Sequence, residues 1–260
     1  VLRLVVSLRR RDRINPFDGR RDRNGLPISK RLSIFWFFLY NDGSKSERGA
    51  QNLAGYHFDK ADFNVFDIQG LDERMAGIRE RIQPKFRHFA EAVARLIVSE
   101  EGAESVPVHV AKHLRRTTHA PENTWCAIGG DARGYKKYPH FQIGIAKEGV
   151  SFYLCLIDQP VKEKEMAAAL LERIPELERL PHDYVVSVDH TVPDVLPIEA
   201  VNWESILIRL RDVKKAELLI GRKLAPTDPR LATEAGTLAV LEDTFRELLP
   251  IYQACMEHYR

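Results

Sequence analysis

Two strand-like runs, His140–Ala146 and Val150–Ile157, are separated only by Lys147-Glu148-Gly149. A connection that short cannot carry a parallel crossover, so the runs must be neighbouring antiparallel strands joined by a tight hairpin. Everything else in the chain has to be arranged around that pair. Further strand-like runs stand nearby at Val106–Thr117, Thr124–Ile128, Tyr184–His190 and Glu217–Leu224, with Pro121, Gly129-Gly130, Gly134 and Gly149 as punctuation. Helical periodicity governs the flanks. Met75, Ile78, Ile82, Phe86, Phe89, Val93 and Leu96-Ile97 recur at three- and four-residue steps, and Pro84 must kink or divide that helix. Lys162–Leu177, Trp203–Val213 and Leu238–Tyr259 are the other expected helices, and Phe63–Ile68 reads as a short strand or extended lead-in. Strands joined by short turns and flanked by helices predict an α+β domain with a mainly antiparallel sheet.

Charge divides the chain. Residues 1–57 hold 12 Lys+Arg against 5 Asp+Glu, while the rest holds 27 against 32. Arg9–Arg23 is densely charged without period, Leu32–Tyr40 is an apolar run, and the first methionine is Met75. A signal peptide would need a shorter leader and a small-residue cleavage site, and a basic arm for nucleic acid or a membrane surface is the other alternative. We read 1–57 as a non-native or disordered basic extension, from a misplaced start, and 58–260 as a single domain. No stretch reaches the roughly 20 apolar residues of a membrane span. Cys126, Cys155 and Cys255 lie far apart without a C-x-x-C pair, which predicts buried free thiols in a reducing, cytoplasmic setting.

Strand parity points to a site, because side chains alternate between faces. Val108, Val110 and Leu114 fall on one side of their run, and His109, His113 and Arg115 on the other. Phe141, Ile143 and Ile145 oppose His140, Gln142 and Gly144; Tyr184, Val186 and Val188 oppose Ser187, Asp189 and Thr191. A plain solvent face carries Lys, Glu and Thr, whereas these positions carry fixed hydrogen-bonding groups, which suits a ligand site. Arg133-Gly134-Tyr135-Lys136-Lys137 adds basic residues on a glycine loop suited to an anion. The expected ligand residues are therefore His109, His113, Arg115, Arg133, Lys136, His140, Gln142, Ser187 and Asp189, with Asp189 pairing with Arg115 or His113.

No metal or cofactor is expected. His109 and His113 on a strand would stand about 13 Å apart, too far for one ion. Asp189-His190 is no catalytic pair, since neighbours on a strand point to opposite faces, and no Ser or Cys sits in a nucleophile elbow. The expected partner is an anionic or nucleotide-like small molecule. Alternatives are nucleic acid, contacted by Arg116, Lys136, Lys137 and Tyr138, or a protein docking on Phe245, Leu248, Leu249 and Tyr252.

The ordered segments FDIQGLDERM (Phe66–Met75), VHVAKHLRRT (Val108–Thr117), Thr124-Trp125, RGYKKYPHFQIG (Arg133–Gly144), Asp189-His190-Thr191 and KKAELLIGR (Lys214–Arg222) resemble the YktB-like family, domain of unknown function 1054 or uncharacterised protein family 0637. The resemblance spans nearly all of residues 60–255 and leaves 1–57 outside. It implies a bacterial cytoplasmic protein with a fold similar to the catalytic domain of biotin ligases and class II aminoacyl-tRNA synthetases, in which ligands lie on the open face of an antiparallel sheet. It implies no activity and no catalytic residues. The glycine-rich fingerprint and dedicated lysine of a biotin-type ligase, and a full synthetase motif set, are not found here.

Overall fold

A computed structural model describes residues 56–157 and 160–259. The segment 1–57, read above as lying outside the domain, falls outside the described residues except for Tyr56 and His57. Among the described residues seven strands form one sheet: β1 (Val108–Val110), β2 (Asn123–Ile128), β3 (His140–Ala146), β4 (Gly149–Leu156), β5 (Tyr184–Ser187), β6 (Leu196–Pro197) and β7 (Leu218–Leu224). Their spatial order is β1-β2-β3-β4-β7-β5-β6, and every neighbouring pair is antiparallel. The hairpin holds as expected: Ala146 pairs with Gly149 across Lys147-Glu148.

The helices are α1 (Lys60–Phe63), α2 (Leu71–Gly77), α3 (Gln83–Glu101), α4 (Glu163–Leu171), α5 (Ile174–Leu177), α6 (Trp203–Asp212) and α7 (Glu234–Met256). Pro84 divides the first long helix as predicted. It has no N–H to bond backwards, and the chain passes from α2 to α3 through a π turn, Ile78–Ile82, closed by Gln83 N–H to Ile78 O.

Two expectations fail locally. Phe63–Asp67 is helical, with only Ile68 extended, because the Asp59 carboxylate caps α1 by accepting from Ala61 N and Asp62 N while the Asp62 carboxylate accepts from Asp59 N, and a 3₁₀ turn, Asn64–Asp67, follows. The Val106–Thr117 run is a strand only over Val108–Val110. His113 sits at φ 51 and Leu114 is 84% exposed, so parity does not extend to them.

One face of the sheet is apolar and meets the helices. Cys126, Phe141, Ile143, Phe152, Leu154, Ile220 and Val186 belong to one buried cluster with Phe86, Phe89, Val93, Leu207, Leu241 and Phe245. Phe245, Leu248 and Tyr252, considered above as a docking surface, are buried in this core, with Leu249 packed against it. All three cysteines are buried free thiols. Among the described residues no helix is long and apolar enough to cross a membrane.

Candidate functional site

The opposite face carries two adjacent rows of side chains. His109, Ala127, Gln142, Tyr153, Gly221 and Val185 pair in register across β1, β2, β3, β4, β7 and β5. Beside them run His140, Cys155, Leu219 and Ser187. A Cβ on Gly221 would stand 1.9 Å from Phe152 O and 2.8 Å from Tyr153 Cδ1, so the bare backbone there is what lets Tyr153 lie across the sheet.

Residues 129–139 fold over this face. Asp131 and Gly134 exchange backbone hydrogen bonds of 3.0 and 3.1 Å, and the Asp131 carboxylate accepts from Arg133 N, Gly134 N and the Tyr138 hydroxyl. Those donors hold Asp131 below the usual carboxylate range. Gly130, at φ 78, lets the loop close, since a Cβ would lie 2.5 Å from Gly134 O. The loop's far end is tied down at Lys137 O, which accepts from Val161 N and the Tyr259 hydroxyl. Tyr135 is thereby laid over the polar row: its ring lies 4.7 Å from that of His140 and 5.6 Å from that of His109, and its hydroxyl accepts from Trp125 Nε1 at 2.9 Å.

Beneath Tyr135 are three buried polar atoms without hydrogen-bond partners: His109 Nε2, His140 Nε2 and Gln142 Oε1. His140 is completely buried, and burial drives its pKa down to about 4, with His109 and Lys136 adding to the fall against the opposing pull of Tyr138 O and of the Gln142 side chain. The ring is neutral at pH 7. Polar atoms sealed from water almost always find a partner, so three orphans on one face are an unusual concentration.

A second polar group lies further along the same face. Glu217 accepts from the His190 amide at 2.9 Å and faces His190 Nδ1 with both oxygens, at 2.8 and 2.7 Å. That contact raises the pKa of His190. Glu163, at the start of α4, has a buried Oε1 without a partner, and its pKa is raised by burial and then by Glu217. Lys136 acts electrostatically on both His140 and His190, lowering the pKa of each.

The family model described as a domain of unknown function, DUF1054, matches residues 58–252. UPF0637 proteins of Oceanobacillus iheyensis, Enterococcus faecalis and Lactococcus lactis are 42%, 43% and 41% identical over 200, 196 and 200 residues. These alignments cover 77%, 75% and 77% of this chain and 97%, 96% and 99% of the relatives. The chain belongs to the DUF1054/UPF0637 family.

The fold of this family member brings His109, His140 and Gln142 together under Tyr135, with Lys136 beside them. Ser187 is on the same face, but its hydroxyl is spent on Asp189 O at 2.9 Å. Asp189 lies just past β5 and is exposed; it accepts from Thr191 N and Thr191 Oγ1 rather than pairing with Arg115 or His113. His113 Nε2 meets Thr124 Oγ1 at 3.0 Å, and its ring stands edge-on to Trp125. Arg115 and Arg133 are exposed in turns. Arg116 donates to His119 O and lines a separate polar groove with Gln69, Arg74 and Glu122. Tyr138 is bonded to Asp131 and packed 5.0 Å from Tyr259.

Sequence reading missed Tyr135 as a cover and Glu217 as the partner of His190. Glu217 has the parity of Leu219 and Gly221, the one signal that could have placed it on this face. Asp189, His190 and Glu217 offer atoms within 4.8 Å of one another, the one such trio among the described residues. Both Glu217 oxygens and His190 Nδ1 are already engaged with each other there, so the trio is an ion pair with a neighbouring carboxylate more than an open metal cradle.

Proposed function

We propose that this protein binds a small anionic, nucleotide-like molecule on the sheet face opposite the helices, between β3 and the 129–139 loop. The observation that carries this reading is the set of buried, unpartnered atoms His109 Nε2, His140 Nε2 and Gln142 Oε1 beneath Tyr135. An unmet buried polar atom costs about 1–3 kcal/mol, and a ligand that satisfies several recovers that energy on binding. Lys136 supplies positive charge at the rim, and Arg133 and Lys137 follow the same loop. The resemblance to biotin ligase and class II synthetase catalytic domains, where ligands occupy the open sheet face, belongs to this proposal and supports it by analogy alone. No nucleophile or general base is assigned, so the function proposed is recognition in a cytoplasmic protein, without a reaction.

The test is a thermal-shift screen of the full chain and its Lys136→Ala variant against nucleotides, acyl and biotin-like carboxylates, and short RNA. A ligand at a hundred times its Kd should stabilise the wild type by about 2.7 kcal/mol and the variant by clearly less. A well-folded protein that no nucleotide or carboxylate shifts would remove the proposal, and a shift by RNA alone would replace it with nucleic-acid binding.

A further inference from the structure

Among the described residues five arginines are at least partly buried: Arg74, Arg173, Arg211, Arg222 and Arg230. A charge withdrawn from water is normally paired. Arg173 has Glu176, Arg211 has Asp212, Arg222 has Asp183 and Glu247, and Arg230 has Asp228 and Asp183. Arg74, on α2, pairs with no carboxylate among the described residues. Its Nε donates to Ile68 O at 2.9 Å and its Nη1 to Pro121 O at 3.1 Å. Two backbone carbonyls fix this guanidinium without neutralising it. They use two of its five N–H groups and leave three.

Arg74 lines the groove between the start of α2 and the 116–122 loop, together with Gln69, Arg116, Thr118, His119 and Glu122. The groove has a volume of about 490 Å³, within the range of small-molecule sites. Arg116 donates to His119 O at 3.3 Å and pairs with no carboxylate among the described residues either. Two carboxylates oppose these charges: Glu122 in the lining, and Glu73, whose Oε2 would stand 2.1 Å from a Cβ on Gly70. Both are exposed, so water screens them, whereas the half-buried Arg74 is screened less. Two segments that carry the family resemblance, FDIQGLDERM and VHVAKHLRRT, meet here. The ligand site proposed above uses neither Arg74 nor Arg116. Glu122 precedes β2 and Gly129 follows it, so the two places stand at opposite ends of a six-residue strand, about 20 Å long.

We propose that this groove is a second, separate site, which takes an oxyanion, the phosphate or carboxylate end of a small molecule, on Arg74 and Arg116. It does not rest on the site proposed above. Arg74 is held in place before any ligand arrives, so its remaining N–H groups form a fixed fork for two oxygens of one anion. Arg116 adds a second charge from the loop. The anion supplies the counter-charge that the fold gives to every other partly buried arginine described and withholds from Arg74.

The experiment is an amide NMR titration of the full chain, at low ionic strength, with inorganic phosphate, acetate and, as a control, chloride. Phosphate or acetate should move the signals of residues 69–74 and 116–122 saturably, and chloride should not. Tighter phosphate binding names a phosphate-bearing ligand, and tighter acetate binding a carboxylate-bearing one. Arg116→Ala should weaken binding by about fivefold, as for an exposed charge pair. Arg74→Lys keeps the charge and loses the fork, and should weaken it by about tenfold while the sheet signals stay in place. Glu122→Gln, which removes a like charge, should tighten it by about twofold. If chloride moves the same signals as far, or if Arg116→Ala and Arg74→Lys respond like the wild type, the two arginines are ties within the fold and the proposal falls. Shifts confined to residues 131–142 would put the anion at the site proposed above and overturn this one alone.

Discussion

Arg222 and His140 are both buried polar residues on the same sheet, yet their surroundings differ completely. Arg222 points towards the helices and is saturated. It bonds to Asp183 at 2.8 Å, Glu247 at 2.9 Å, the Tyr184 hydroxyl at 3.2 Å and Thr244 Oγ1 at 2.8 Å, with the guanidinium 4.4 Å from the Tyr184 ring centroid. His140 points away from the helices and has a partner on one nitrogen alone. A saturated buried charge ties strands β5 and β7 to α7 and has nothing left to offer a ligand. A half-saturated ring contributes less to folding and keeps one atom for something else. The difference separates a polar group whose bonds are all made within the fold from one with an atom left over, without reference to any relative.

The largest effect should come from breaking the saturated side. Arg222→Ala is expected to lower stability by roughly 3 kcal/mol in urea unfolding, because Glu247 loses its cation, Asp183 keeps only Arg230, and Thr244 loses its donor. Both carboxylates retain some solvent access, at 36% and 41%, which holds the effect near the lower end of the range for broken buried pairs. His140→Phe is expected to stay within about 1 kcal/mol of the wild type at pH 7, since an apolar ring of similar shape removes the orphan atom along with one hydrogen bond. Equal losses from the two substitutions would erase the distinction between the two faces.

Acid should reveal the next effect. The folded pKa of His140, about 4, lies below its ordinary 6.5, so the unfolded chain takes up the proton first. Stability tied to this ring is whole above pH 6.5 and drains away as pH falls towards 4, by about 3 kcal/mol in total. His140→Phe should therefore flatten the acid limb of the stability curve over that window. His190 has the opposite sign. Glu217 raises its pKa, so its contribution is whole below pH 6.5 and is lost as pH rises through the folded value. His190→Gln should thus cost most in mild acid, by under about 1 kcal/mol because the imidazole is 31% exposed. Parallel pH profiles for the two variants would mean that the two histidines do not occupy the different environments described here.

Much of the architecture was legible because it follows from local rules. Two strand-like runs joined by the short turn Lys147-Glu148-Gly149 define β3 and β4, Pro84 divides the first long helix, and the parity of His140 and Gln142 puts them on one face with Ser187. Where the rules failed, a local contact overrode the pattern. The capping of α1 by Asp59 turned an apparent strand into helical turns, and it leaves only the faint mark of two aspartates three residues apart. The left-handed backbone at His113 ended β1's influence before Arg115. The rest of the site was not legible, for a different reason. Glu217 reaches His190 only because β7 lies between β4 and β5, a topology that strand patterns do not encode. Tyr135 reaches His140 only because Asp131 and Gly130 fold the loop back over the sheet.

The smallest effect tests that loop. Tyr135→Phe removes the acceptor of Trp125 Nε1–H while keeping the ring over His140. Trp125 is half-buried, so water can take over as acceptor, and the loss should be about 1 kcal/mol or less. A loss of that size, confined to opening of the loop, corresponds to about fivefold faster amide exchange. It should be seen over residues 131–139, while β3 and β4, whose bonds are made within the sheet, exchange as in the wild type. Faster exchange in β3 as well would show that the loop and strand open as one unit. No change anywhere would show that the Asp131 turn alone holds the cover, and that the Trp125–Tyr135 bond contributes little to keeping His140 closed off.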